Sequence, residues 1–259
     1  MRPWAKSGPR PAASAKATPQ SWYRAWSDLA ERVEAVARQA GRVGTREAWR
    51  RAFTYRQTAA VFLAPSDLRL KDSWDRARAA FRAGMAREDA PMRPIAVPFE
   101  GKARPGYVAE PPTVESATPT LLTIGGGEAC AEELWFWTGA AGVRRGWRVV
   151  MVDLPGQGPT PFAGLHFRPD SQVPIGAVVD HLRTRHGTPA ERLVLFGMSG
   201  GYMVCRAVAR GVEVAASAPH PRLSRLGHRG SAGRLPQVLG PALAPDARGA
   251  APAAGGDRA

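Results

Sequence analysis

Cysteine is almost missing from this chain: Cys130 and Cys205 are the only two in 259 residues. Neither lies in a metal-binding or redox spacing, so a disulfide scaffold, a structural zinc site and a dithiol motif are excluded. Both are expected to pack as reduced, buried residues. Long apolar runs are missing as well, and none approaches the roughly 18 consecutive apolar residues that argue for a membrane span. The stretch from Met1 to Gln20 has no continuous apolar segment. It is basic and rich in Ala and Pro, which describes a disordered leader and not a secretory signal, and it points to a cytoplasmic protein. At the other end, residues 218–259 contain no Phe, Trp or Tyr, and Ala, Gly, Pro and Arg supply 29 of those 42 positions. Such a composition cannot bury a core.

Acidic charge is also scarce, since 36 Lys and Arg face 22 Asp and Glu, a net of +14. The excess is not spread evenly. Residues 1–56 hold twelve basic and four acidic side chains, a net of +8, and residues 218–259 hold six against two, a net of +4. The 161 residues between carry eighteen and sixteen, a net of only +2. Basic ends bind phosphates non-specifically, but no nucleic-acid motif accompanies them, so no specific nucleic-acid partner is expected. What remains is a nearly neutral body, and the hydrophobic content of 44% and eight Trp are enough to give it a core.

Residues 21–90 read as a helical unit. Trp22, Trp26, Leu29, Val33 and Val36 recur at helical spacing. A break at Gly41 to Gly44 is followed by Thr45, a suitable N-cap, and by a second stripe of Trp49, Ala52, Phe53, Ala60 and Leu63. Ser66 or Asp67 can cap a third helix with Leu70, Trp74, Ala77 and Phe81 on one side. Two readings fit: a cap that shapes a substrate pocket, or a helical extension packed on a sheet.

From residue 91 the period changes. Ile95, Val97 and Phe99 alternate, Gly101 offers a turn, and extended character resumes at Tyr107, which predicts a hairpin. Buried strands follow at 120–124, 148–152 and 193–196, separated by helical stretches at 129–142 and 175–186. Strands alternating with helices predict a mostly parallel α/β sheet over 91–217.

The last strand runs into Gly197-Met198-Ser199-Gly200-Gly201, with helix-like sequence from Tyr202 to Arg210. A serine between glycines at a strand-to-helix turn is the pattern of a nucleophile elbow, so Ser199 is the candidate nucleophile. The strand at 120–124 ends in Gly125-Gly126-Gly127-Glu128, where small residues let backbone amides approach a developing oxyanion. Gly127 and the amide of Gly200 are the candidate donors. The alternative is a tight glycine turn, with Glu128 opening the next helix. Asp153, in Asp153-Leu154-Pro155-Gly156-Gln157-Gly158, is expected to hydrogen bond within its own turn. His166, His181 and His186 precede the serine and are assigned structural roles.

These pieces, with Phe167-Arg168-Pro169-Asp170, occur in one order over about residues 21–217. In that order they resemble the α/β-hydrolases with an N-terminal helical cap, the group of 2,6-dihydropseudooxynicotine hydrolase and the FrsA-like esterases, and more distantly the prolyl-oligopeptidases. The resemblance implies hydrolysis of an ester, amide or activated carbon–carbon bond of a small molecule through an acyl-Ser199. It also implies that Glu128 faces the active site as a functional acid. It calls for no cofactor, metal or membrane partner, and it leaves room for a homo-oligomer.

In this fold an acid and then a histidine follow the serine. After Ser199 the acids are Glu213, Asp246 and Asp257, the histidines are His220 and His228, and no histidine follows Asp246. The only ordered set is Glu213 and then His220 or His228, which crowd into one strand and its loop, so the sheet is expected to be truncated near 217, with impaired activity. Ala, Gly, Pro and Arg are the residues of GC-rich codons, so a shift of reading frame near Ala218 is one expectation. A natural disordered tail on a degenerate hydrolase is the other, and in that case the chain acts, if at all, as a binding protein.

Overall fold

A computed structural model describes residues 18–39, 41–88, 92–115, 117–198, 211–212 and 216–219. Three helices come first, α1 (Pro19–Gln39), α2 (Arg42–Ala60) and α3 (Leu68–Met85). Asp67 caps α3, its carboxylate accepting from the Arg69 amide. The side-chain hydrogen bond from Arg69 holds that carboxyl down at about 2. Thr45 is not the cap of α2. The helix begins three residues earlier behind an extended Gly41, and Thr45 is buried in its first turns. The stripe foreseen on α1 is half-buried from Trp22 to Val33 and needs correction at its end. Val36 is 55% exposed, and the residues that are buried on α1 are Ser27, Ala30 and Ala37. Small side chains let the helix backbones approach, while the large aromatics Trp22 and Trp26 lie half-exposed at the seam with Tyr55 and Phe62.

The sheet opens with a hairpin, β1 (Met92–Phe99) and β2 (Lys102–Ala109). Its two-residue turn places Glu100 at φ 47° and Gly101 at φ 73°, the left-handed pair that suits the twist of a tight hairpin. Then come β3 (Thr120–Ile124), β4 (Arg148–Val152), β5 (Leu193–Gly197) and β6 (Ala216–Pro219). The strand order is β1-β2-β4-β3-β5-β6, parallel from β4 onward. The boundary expected at 217 thus falls inside β6. Residues 220–259, and with them the foreseen tail, lie outside the described residues, as do residues 1–17 and the foreseen helix over 202–210.

Alternation along the strands builds two cores. Tyr107, Val149 and Met151 meet Phe53 and Phe81 of the helical unit and Leu134 and Trp135 of the segment after β3. Val108, Val150, Val152, Leu122 and Leu195 face the other way, onto Ile175, Val178 and Leu182 of α6 (Gln172–His186). The helical unit is therefore packed on one face of the sheet and α6 on the other.

The helix foreseen over 129–142 is interrupted. It runs as α4 (Ala131–Leu134), a π turn (Trp135–Gly139) and α5 (Ala140–Arg144). Gly139 lies against the Trp135 indole, where a Cβ would stand 2.6 Å from ring carbon Cε3. The extra residue of the π turn lets the helix pass that ring.

Candidate active site at the carboxyl ends of β3, β4 and β5

Parallel pairing aligns the ends of the central strands. Ile124, the last residue of β3, pairs with Gly197, the last of β5. One residue on, the Met198 amide donates to Ile124 O at 3.0 Å. The chain therefore enters the Gly-Met-Ser-Gly-Gly segment directly beside the start of the Gly125–Glu128 loop. Ser199 and Gly200 themselves lie outside the described residues. Gly127 and Glu128 form the exposed turn of the loop. Glu128 does not open a helix: α4 begins at Ala131, behind Cys130.

On the other flank of β3, the segment after β4 braces this loop. Asp153, 1% exposed, accepts the Ala131 amide with Oδ1 at 2.7 Å. The expectation that Asp153 bonds within its own turn is thus corrected. Its partner is the first amide of α4, and the turn is closed instead by Gln157 and Thr160. Gln157 Oε1 accepts from the Leu154 amide, and Gln157 Nε2 donates to Gly125 O and Gly126 O, both at 2.8 Å. Gly158 has φ 49°, and a side chain there would meet Asp153 Oδ2 at 2.6 Å.

Phe167 roofs the same turn. A Cβ on Gly156, at φ 92°, would stand 2.4 Å from Phe167 Cγ, and the far edge of the ring reaches 3.8 Å from the Cβ position of Gly127. Arg168 holds Phe167 there, pairing with Asp170 and with Glu100 of the hairpin turn. Phe167 is still 59% exposed, so an aromatic face is presented beside the glycine loop. Phe136 and Trp137, also exposed, follow on the π turn, and Phe136 stacks on Phe53 of α2 at 5.7 Å.

Beneath the loop lies a buried acidic group. Glu132, fully buried, accepts from Arg78 Nε at 2.9 Å and from the Tyr107 hydroxyl at 2.7 Å. Burial, then the nearby Glu132 charge, pushes the Asp153 carboxyl well above the usual range. Burial likewise raises the Cys130 thiol, which is reduced and accepts from Gln57 Nε2. Cys205 lies outside the described residues. His166 is exposed, and His181 and His186 pack against each other at 6.0 Å on α6. A cavity of about 250 Å³, with Tyr23, Arg56 and Arg76 among its walls, is lined wholly by α1, α2 and α3, apart from these strand ends. Among the described residues no cluster is arranged to hold a metal, and no helix is long and apolar enough to cross a membrane.

Glu132, Gln157 and Phe167 were not singled out from the sequence. Each had one available signal: Gln157 lies in the loop that directly follows a buried strand, Glu132 sits in the first turn of a helix after the glycine loop, and Phe167 opens the Phe-Arg-Pro-Asp segment.

A mixed sheet of this order, with a glycine loop after its third strand and a Gly-x-Ser-x-Gly segment after its fifth, defines the class: the chain belongs to the α/β-hydrolase superfamily. Among curated relatives it is similar to a 20-hydroxy-prefusarin hydrolase of Gibberella moniliformis, 34% identical over 206 residues, covering 73% of this chain and 49% of the relative. It is also similar to an α/β-hydrolase of Aspergillus fumigatus, 34% identical over 212 residues, covering 74% and 48%. The chain thus spans about half the length of these relatives. Among solved structures its fold matches a 2,6-dihydroxy-pseudo-oxynicotine hydrolase with a TM-score of 0.66 at 22% identity, over 78% of this chain and 57% of that one. No protein-family model matches the sequence.

Proposed function

We propose that this polypeptide is the nucleophile-bearing part of a serine hydrolase, acting on an ester, amide or activated carbon–carbon bond of a small molecule through an acyl-Ser199. The observation that carries the reading is the Met198 N to Ile124 O bond, which brings the residue before Ser199 beside the start of the Gly125–Glu128 loop. In this mechanism the Ser199 hydroxyl adds to the carbonyl carbon as a base takes its proton. The oxygen becomes an oxyanion received by the amides of Gly127 and Gly200, and collapse expels the leaving group. The exposure of Glu128 on the same loop supports its meeting the substrate as an acid, with Phe167 against the substrate's apolar part.

Among the residues after Ser199 no histidine follows Asp246, and Glu213, His220 and His228 crowd into one short stretch. That observation favours a second reading, a hydrolase remnant that binds without turning over. A fluorophosphonate probe separates the two. Labelling that disappears in Ser199→Ala supports an activated serine. Absence of labelling in the folded chain supports the remnant.

A further inference from the structure

We propose that Gln157 is a positioning residue for the oxyanion-binding amides, acting through the carbonyls of Gly125 and Gly126. This rests on reading Ser199 as the nucleophile and Gly127 as a donor. Gln157 is 1% exposed and its amide group is fully used. Both Nε2 hydrogens go to Gly125 O and Gly126 O at 2.8 Å, and Oε1 takes the Leu154 amide at 2.9 Å.

Peptide planarity turns this clamp into an orientation. In a trans peptide the N–H points opposite to the C=O of the same unit. The Gly125 carbonyl shares its peptide with the Gly126 amide, and the Gly126 carbonyl with the Gly127 amide. Two carbonyls drawn toward the segment after β4 therefore turn the Gly126 and Gly127 amides away from it, to the flank of β3 where β5 lies. Neither amide donates to a backbone carbonyl among the described residues. Three glycines in a row have no side chains to hold them in one conformation, and the loop needs an outside hold if its donors are to be fixed before charge develops. The Asp153 bond to the Ala131 amide anchors the far end of the loop, and Gln157 anchors its middle.

The test compares Gln157→Leu and Gln157→Glu with the unmodified chain. Two quantities are read: amide hydrogen exchange at Ala129 and Ala131, and the rate of fluorophosphonate labelling at Ser199. In Gln157→Leu, exchange in the loop is expected to rise on the order of tenfold while β3 and α6 keep their rates. Labelling is expected to slow on the order of 100-fold, the size of losing one oxyanion donor. Gln157→Glu adds a pH signature. Its protonated carboxyl can donate one bond to a glycine carbonyl, so exchange and labelling return toward the unmodified values as pH falls, which the leucine variant cannot do.

Loop exchange unchanged in both variants overturns the proposal. So does a loosened loop with undiminished labelling, and so does loss of protection throughout the chain in both variants, which would make Gln157 a core residue only. If the unmodified chain never labels, the Ser199 reading has failed, and the loop exchange still decides whether Gln157 holds the glycines.

Discussion

Replacing Glu132 by glutamine removes a charge while keeping the shape, and its effect on stability can be worked out with its sign. Glu132 is fully buried, and its Oε1 takes both the Arg78 guanidinium and the Tyr107 hydroxyl. Removing one partner of a buried ion pair costs about 3–5 kcal/mol. Glutamine can still accept both hydrogen bonds, and Arg78 keeps 16% of its side chain in solvent. The low end, about 3 kcal/mol, therefore applies at acidic pH. For a domain of this size that is a fall in Tm of roughly 6–12 °C.

The second consequence concerns Asp153, whose carboxyl is raised by burial first and by Glu132 next. With its folded pKa above the unfolded one, the native chain holds a proton that the unfolded chain has released. Stability therefore falls as pH rises from about 4 to the folded pKa, by at most about 1.4 kcal/mol per pH unit. Glu132→Gln removes part of the repulsion and lowers that folded pKa, so the variant stops losing stability sooner. Its deficit against the unmodified chain should narrow as pH rises from the variant's folded pKa toward that of the unmodified chain. Chemical denaturation at several pH values measures both quantities. A deficit below about 1 kcal/mol at pH 5, or one that widens with pH, would refute the reasoning.

Two further substitutions probe the frame around the site. Gly156→Ala puts a Cβ at a φ of 92° and 2.4 Å from the Phe167 ring. It should cost more than about 2 kcal/mol, since backbone strain alone is worth about 1–2 kcal/mol and the ring must also move; thermal melting that shifts by less than 2 °C would contradict this. Phe53→Ala empties a position whose ring meets a tilted Phe81 at 5.4 Å and stacks on Phe136 at 5.7 Å. A loss of about 3–5 kcal/mol is expected, with amide exchange rising first in α2 and α3; equal loosening of β4 and β5 would show that the helical unit does not open separately.

The elements whose causes are local were legible in the sequence. Asp67 caps a helix because its own carboxylate reaches an amide two residues on. The β1–β2 turn was visible in Gly101 between alternating strands, and the order of strands and helices foretold the parallel sheet. Errors arose where the choice among local options depended on neighbours. Thr45 is as good a cap as any, yet α2 starts earlier and buries it. The α1 stripe departs from expectation at its end, where Val36 is exposed and the neighbouring helices accept the small Ser27, Ala30 and Ala37, while Val33 packs on the core. The π turn at Trp135–Gly139 depends on how an indole fits beside a glycine and Met151, which periodicity does not encode.

The candidate site divides in the same way. By itself the sequence determined that a strand delivers Ser199 between glycines and that another strand ends in the Gly125–Glu128 loop, because strand, turn and glycine are short-range features. Only the tertiary structure decided that Met198 bonds Ile124 across 74 residues, that Asp153 caps α4 and that Gln157 holds the glycine carbonyls. A buried polar group must find a partner wherever folding brings one within about 3 Å. Which partner that is follows from strand order and register, and these are properties of the assembled sheet.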